Sequence, residues 1–166
     1  MPSTLSTSLA PHPARPLAQQ TGRVDEQRAR RGDANRANYA TTANLEKRQA
    51  LQAHATGTTG THAGALLAEI PVGATVVDVG CGNGLWMRLA ADRCSVVGLD
   101  ASMAMARAAR GDGAFAVAHG DAHALPMRDG AADAVLMLWM LYHVPGKDEA
   151  LAEARRVLRR GGSLLA

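Results

Sequence analysis

Aromatic side chains are scarce in this chain: two Trp, two Tyr and one Phe among 166 residues. A core must therefore be built from Val, Leu, Met and Ala, whose compact side chains let helices sit close to a sheet. Cysteine is almost as rare. Cys81 and Cys94 form no C-x-x-C pair, so an intramolecular disulfide is not expected and a reducing compartment, the cytoplasm, fits best. No run approaches the roughly 20 apolar residues that a membrane span needs, which excludes a spanning helix and argues against a membrane partner. An apolar signal core is missing as well. The first 24 residues contain no acid and two Arg, a composition similar to a transit peptide, yet Pro2, Pro11, Pro13 and Pro16 would spoil its amphipathic helix.

Charge of one sign is also lacking, except locally. The formal net charge is +3, but residues 1–48 hold eight Lys or Arg against four acids, while the rest of the chain holds ten against eleven. The basic excess belongs to the tail. The body of the chain carries no electrostatic footprint of a nucleic-acid groove, so no nucleic-acid partner is expected.

What is present is enough for one domain, with 47% apolar residues. Residues 1–35, rich in Pro, Ser, Thr, Gln and Arg without hydrophobic period, read as a disordered tail. Residues 36–70 read as a helical cap: Tyr39, Leu45 and Leu51 stand among good helix formers, Gly57–Gly60 interrupts, and Thr61 caps a helix that Pro71 stops. From residue 71 onward strands and helices alternate, which is the signature of a parallel α/β sheet. The pattern predicts strands at 75–79, 95–99, 114–118, 132–138 and from 163, with helices over 85–92, 102–110 and 147–160. In the last helix Ala150, Leu151, Ala154, Val157 and Leu158 form an apolar stripe, and Gly161-Gly162 reads as its left-handed stop.

The most informative run is Val76-Val77-Asp78-Val79-Gly80-Cys81-Gly82-Asn83-Gly84. β-Branched residues read as a buried strand, and alternate glycines follow before an apolar helix. Glycines at that turn let a ligand approach the backbone, because no Cβ intervenes. A dinucleotide fingerprint needs Gly or Ala at position 85, which is Leu, so a nicotinamide-dependent oxidoreductase is disfavoured. Asp78 would repel a diphosphate there but hold an ammonium. Asp100, at the end of the second strand, is placed to accept two hydrogen bonds from a ribose diol.

Four motifs in register then carry a resemblance. The glycine run resembles motif I of the class I S-adenosylmethionine-dependent methyltransferases. Val97-Gly98-Leu99-Asp100-Ala101-Ser102-Met103 is similar to the second motif of the small-molecule type. Gly120-Asp121-Ala122-His123-Ala124-Leu125-Pro126-Met127-Arg128-Asp129-Gly130 and the stretch from Ala132 through Leu141-Tyr142-His143-Val144 resemble the family's next two motifs. Glu153 to Gly162 closes the series, and order and spacing agree over residues 72–166. The fold implied is a Rossmann-like, doubly wound, mostly parallel sheet with helices on both faces, incomplete at its C-terminal end.

The resemblance implies S-adenosylmethionine as cofactor and a small molecule as methyl acceptor. Gly80, Gly82 and Gly84 would meet the methionine and ribose parts, with Cys81 packed among them rather than acting as a nucleophile. Asp78 would hold the ammonium, and Asp100 the ribose hydroxyls. Ala101, Ser102 and Met103 would line the adenine. Asp121 would meet the adenine amino group, and the Ala122 amide a ring nitrogen. Leu138 would offer a carbonyl to the amino-acid end, and Trp139 would flank the cofactor. His143 is the candidate general base, needed only if the acceptor carries a proton at neutral pH. Relatives use the region of Tyr39 and His54 as a lid.

No metal is expected. His119, Asp121 and His123 alternate across a strand end, whereas a metal needs converging ligands. Asp129 and Asp133 read as turn and strand-start residues, and Arg155, Arg156, Arg159 and Arg160 as solvated surface. The family's sheet has seven strands, so an ending about four residues into strand 5 implies a fragment or a truncated product. The alternative is therefore a non-catalytic S-adenosylmethionine-binding module, or a pseudoenzyme that needs a partner. Nothing bears on oligomeric state.

Overall fold

The computed structural model describes residues 30, 34, 37, 41–47, 59–111 and 113–166. The tail expected over 1–35 lies almost wholly outside them, as do Tyr39 and His54 of the cap. Residues 43–47 are helical, and helix α1 spans Thr59–Ala68. The chain then alternates through β1 (Thr75–Val79), α2 (Leu85–Ala90), β2 (Ser95–Asp100), α3 (Met103–Arg110) and β3 (Ala116–His119). After an irregular connection come β4 (Ala132–Leu136), a 3₁₀ turn over Leu141–His143, α4 (Lys147–Val157) and β5 (Leu158–Leu165).

The five strands are all parallel, in the order β3-β2-β1-β4-β5. Chain order reverses between β1 and β4, and an open α/β sheet holds its ligand crevice at the carboxyl ends beside such a reversal. Period-two alternation sends Val77 and Val79 to one face, where they pack with Val135, Met137 and the Ala150–Ala154–Val157 stripe of α4. Val76, Ala134 and Leu136 face the other way, against Leu67, Ile70 and Ala90. Cys81, Met87, Ala106, Ala109 and Val117 fill the space between α2, α3 and the outer strands. The apolar residues of β1 and β4 are fully buried, as expected of strands covered on both sides.

The helix before β5 ends at Val157, three residues short of the Arg160 expected from its sequence. The glycine pair is used differently. Ala132 pairs with Leu158 and Ala134 with Ser163, so two steps along β4 match five along β5. Gly161, at φ +77°, sits in this bulge, and a Cβ on Gly162 would lie 2.8 Å from the Asp133 carbonyl oxygen. Strand 5 therefore covers Leu158–Leu165 rather than beginning at Ser163. β4 also stops at Leu136 instead of Leu138, and β3 is shifted toward His119.

The basic cluster on α4 is not simply solvated. The Arg156 guanidinium donates to Glu153 at 2.7 and 2.8 Å, to Asp129 at 2.7 Å, and to the Met127 and Leu125 carbonyls at 2.8 and 3.0 Å. Glu153 in turn accepts from the Leu125 amide at 2.8 Å. These bonds hold Glu153 well below the usual carboxylate range, at about 2. No helix links β3 to β4, and this fork takes over the work of fixing that connection. Asp133 accepts from the Thr75 amide at 2.6 Å and pairs with Arg159 at the same distance, tying β1 to β4 at their amino ends. Replacing Arg156 by Met will lower the melting temperature by several degrees, and Lys, a single-point donor, will restore only part of it; equal melting curves for all three proteins would refute the role.

Candidate functional site

Everything that singles out the crest of the sheet begins with the turn after β1. Gly80, Gly82 and Gly84 adopt φ of +73°, +56° and +81°, a left-handed conformation that side-chain-bearing residues avoid. The turn folds across β2, with the Gly80 and Cys81 amides donating to the Leu99 carbonyl at 2.7 and 3.0 Å. A Cβ on Gly80 would lie 2.8 Å from Met140 Cβ, and one on Gly82 2.8 Å from Leu45 Cδ2. The loop is thus overlain by the segment after β4 and by the short helical stretch at 43–47. Neither Met140 nor Leu45 was singled out as a site residue from the sequence, and no local signal marks them.

Asp100 does more than wait for a ligand. Its Oδ2 accepts from the Gly82 amide at 2.8 Å and its Oδ1 from the Ser102 amide at 2.7 Å, so it also anchors the glycine turn. Burial pushes its pKa up, while those two amides work against the rise. Each oxygen keeps a further lone pair for a hydroxyl donor. Ser102 Oγ caps α3 by accepting from the Met105 amide at 3.3 Å, with Ala101 and Met103 exposed beside it.

Asp78 is the anomaly of the core. It is 1% exposed, and its Oδ2 is buried without a hydrogen-bond partner. Burial, then the nearby Asp100 carboxylate, pushes its pKa up to about 7. A buried carboxylate facing a second one, with an unsatisfied oxygen, is the environment a cation would relieve. Cys81 lies beside them, and burial followed by the two carboxylates raises its thiol pKa, which suits packing and not nucleophilic attack. Both cysteines are free.

The loops after β3 and β4 complete the crest. Asp121 is exposed, Ala122 is buried, and Asp121 Oδ1 accepts from the His123 amide at 2.9 Å and from His123 Nδ1 at 2.6 Å. His119 Nε2 turns instead to the Ala101 carbonyl at 3.1 Å. Among the described residues no group of three His, Cys, Asp or Glu could hold a metal ion. Leu138 packs against the cluster around Leu136, whereas Trp139 is 65% exposed at φ +59°. Such a backbone in a bulky aromatic residue stores strain. His143 is half-buried in the 3₁₀ turn, its ring 4.1 Å from that of Tyr142.

Comparison with known proteins gives this geometry a lineage. The Methyltransferase domain family model matches residues 77–166, more than half of the chain. The chain belongs to the class I S-adenosylmethionine-dependent methyltransferases. S-Adenosylmethionine is the cofactor of this methyltransferase family. Among curated relatives, the tRNA (carboxymethyluridine(34)-5-O)-methyltransferase of Xenopus tropicalis is 36% identical over 105 residues, covering 61% of this chain and 16% of that protein. The ubiquinone/menaquinone biosynthesis C-methyltransferase of Acidiphilium cryptum is 41% identical over 99 residues, covering 53% of this chain and 39% of its own. Among solved structures, a chain of the Haloferax volcanii complex between the Trm112 methyltransferase activator and a methyltransferase superposes with a TM-score of 0.60. It is 29% identical, over 72% of this chain and 55% of that one. The chain thus spans well under half the length of either curated relative.

The residues present fit the family cofactor. The turn of the methyltransferase has no Cβ at Gly80, Gly82 or Gly84, Asp100 retains acceptor capacity for a diol, and the buried, unsatisfied Oδ2 of Asp78 suits an ammonium or sulfonium group. No helix among the described residues is long and apolar enough to cross a membrane.

Proposed function

We propose that this methyltransferase domain binds S-adenosylmethionine at the crest of β1, β2 and β3 and directs its methyl group to a small-molecule acceptor. The observation that carries the reading is the buried, unpartnered Asp78 oxygen beside Asp100 under a glycine turn. Asp78 takes the ammonium end, Asp100 the ribose hydroxyls, and Ala101, Ser102 and Met103 the adenine. Asp121 accepts from the adenine amino group, and the Ala122 amide donates to a ring nitrogen. The Leu138 carbonyl and Trp139 border the amino-acid end.

When bound, the cofactor supplies an electrophilic methyl on sulfur, so the chain need not form a covalent intermediate. What its residues contribute is orientation and exclusion of water. Leu45 and Met140, already in contact with the glycine turn, give the crest an apolar cover. Holding two reactants in line is worth on the order of 7–11 kcal/mol at best. His143 takes a proton only from an acceptor that still carries one. The near-neutral balance of residues 49–166 favours a small acceptor over a nucleic acid, while the relatives include both a tRNA methyltransferase and a quinone C-methyltransferase.

Titration calorimetry with S-adenosylhomocysteine is expected to give micromolar binding. Label transfer from S-adenosylmethionine is then expected to quinols, phenols or amines and not to tRNA. Transfer to tRNA alone would overturn the acceptor class. Binding without any transfer would make the chain a cofactor-binding module, and absence of binding would sink the site.

A further inference from the structure

His123 makes contacts that a neutral imidazole cannot make. Its Nδ1 lies 2.6 Å from Asp121 Oδ1, and its Nε2 lies 2.6 Å from the Pro145 carbonyl oxygen and 3.1 Å from that of Gly146. All three partners are acceptors. A neutral ring has one N–H, so in either tautomer one nitrogen would point a lone pair at a lone pair. Only the imidazolium satisfies both ends. The ring therefore bridges two crest loops: the one after β3, which holds Asp121 and Ala122, and the one after β4, which runs from Trp139 through His143 to Gly146.

We propose that His123, as an imidazolium, is a positioning residue that clamps the adenine-side loop to the acceptor-side loop, adding a second bond to the one by which its own amide holds Asp121. This role rests on the cofactor reading of Asp121 given above. The groups that face the ring are few. Asp121 lies on its own loop, and Glu149 comes from the first turn of α4. A Cβ built on Gly146 would be 2.7 Å from Glu149 Oε2 and 3.4 Å from His123 Nε2, which brings a second carboxylate close to the ring. Lys147 and Asp148 share that first helical turn.

The charge balance agrees with the geometry. Burial works against the charged ring, but the bonds to Asp121 and to the Pro145 carbonyl outweigh it, and the His123 pKa is raised. Asp121 moves the other way: the His123 amide, opposed by burial and helped by the His123 ring, lowers its pKa. The clamp is closed below the raised His123 pKa and opens as pH rises through it. Its opening removes the polar link between the 139–146 loop and the β3 side, leaving the apolar packing of Met140, Leu141 and Val144 on the cluster that holds Ala122 and Leu125.

Two measurements decide this. The ¹⁵N shifts of the His123 ring, followed against pH in the ligand-free protein, should report an imidazolium that persists above the ordinary midpoint of about 6.5, and Asp121→Asn should lower the midpoint. A neutral ring at pH 6.5 and below would overturn the clamp. The second probe is 5′-methylthioadenosine, which carries the nucleoside but no titrating amino acid. Wild-type affinity should fall as pH rises past the His123 midpoint. His123→Ala should bind about tenfold more weakly at pH 6 and lose that pH dependence, with His123→Gln, which keeps one donor, in between. Equal affinity and equal pH profiles for wild type and a folded His123→Ala would refute the positioning role. Failure of the wild type to bind the nucleoside would instead overturn the site reading and the role that rests on it, while the ring titration would still decide whether the clamp exists.

Discussion

Gly82→Val and Asp100→Ala will each remove measurable binding of S-adenosylhomocysteine, a loss of at least a hundredfold. The two variants fail for different reasons. Valine at position 82 is β-branched and must adopt φ near +56°, at a cost of about 1–2 kcal/mol. Its Cβ also points toward Leu45 Cδ2, 2.8 Å away, so the side chain enters the space between turn and cover. Leu45 can yield, being the end of a flexible chain; the ligand cannot share that space. Asp100→Ala removes acceptors for two ribose hydroxyls, and charge-assisted bonds of that type contribute about 1.5–3 kcal/mol each.

It also strands the Gly82 and Ser102 amides, so this variant will melt earlier than wild type. Asp100→Asn separates the effects, because its one carbonyl oxygen still anchors an amide. Calorimetry and thermal melts on the three variants suffice. Undiminished affinity in both Gly82→Val and Asp100→Asn would remove the crest from consideration.

The second large effect concerns Asp78, and it has opposite signs for folding and for binding. An unfolded chain ionises this carboxyl near 3.8, whereas the folded chain holds the proton to about 7. Across that window the folded state binds more protons, so stability falls as pH rises from about 4 to 7. At 1.36 kcal/mol per pH unit the whole loss is on the order of 4 kcal/mol. Asp78→Asn abolishes the ionisation, so its stability will be flat over that range and will exceed wild type at pH 8.

Cofactor affinity will go the other way. The ionised carboxylate is the form that takes a cation, so wild-type affinity will rise with pH through about 7, and Asp78→Asn will be weaker by tenfold or more with no such rise. Urea unfolding at pH 5 and 8, paired with calorimetry, checks both halves. A variant that gained nothing in stability and lost nothing in affinity would show Asp78 to be an ordinary core residue. Keeping an unpaired acid in the core is the pattern expected where a site is maintained at the expense of folding free energy.

Local chemistry made much of this legible in advance. Val76 to Val79 could only be a buried strand, and glycines at alternate positions after it could only serve a turn that bends left-handed. Asp78 and Asp100 stood out because an acid at the end of an apolar strand has no partner in its own element. The stripe on α4 was visible from its spacing. The extent of α4 was not: Arg159 and Arg160 are good helix formers, and the pull of pairing β5 with β4 outweighs that preference. For the same reason Gly161-Gly162, which reads as a helix stop, serves a bulge against Asp133.

The pairing of side chains was hidden altogether. Arg156 looked like one of four exposed arginines, and only the missing helix between β3 and β4 turns it into the fork that holds Asp129, Glu153 and two carbonyls.

The sequence by itself determined the strand–helix alternation, the glycine turn and the acids that border it, since periodicity and backbone freedom are properties of neighbouring residues. Only the tertiary structure decided that Asp78 is buried with its Oδ2 unsatisfied, that Leu45 and Met140 lie over the turn, and that His123 joins Asp121 to Pro145. Those facts depend on which segments the sheet order brings together, and residues far apart along a chain carry no local mark of the neighbours they will meet.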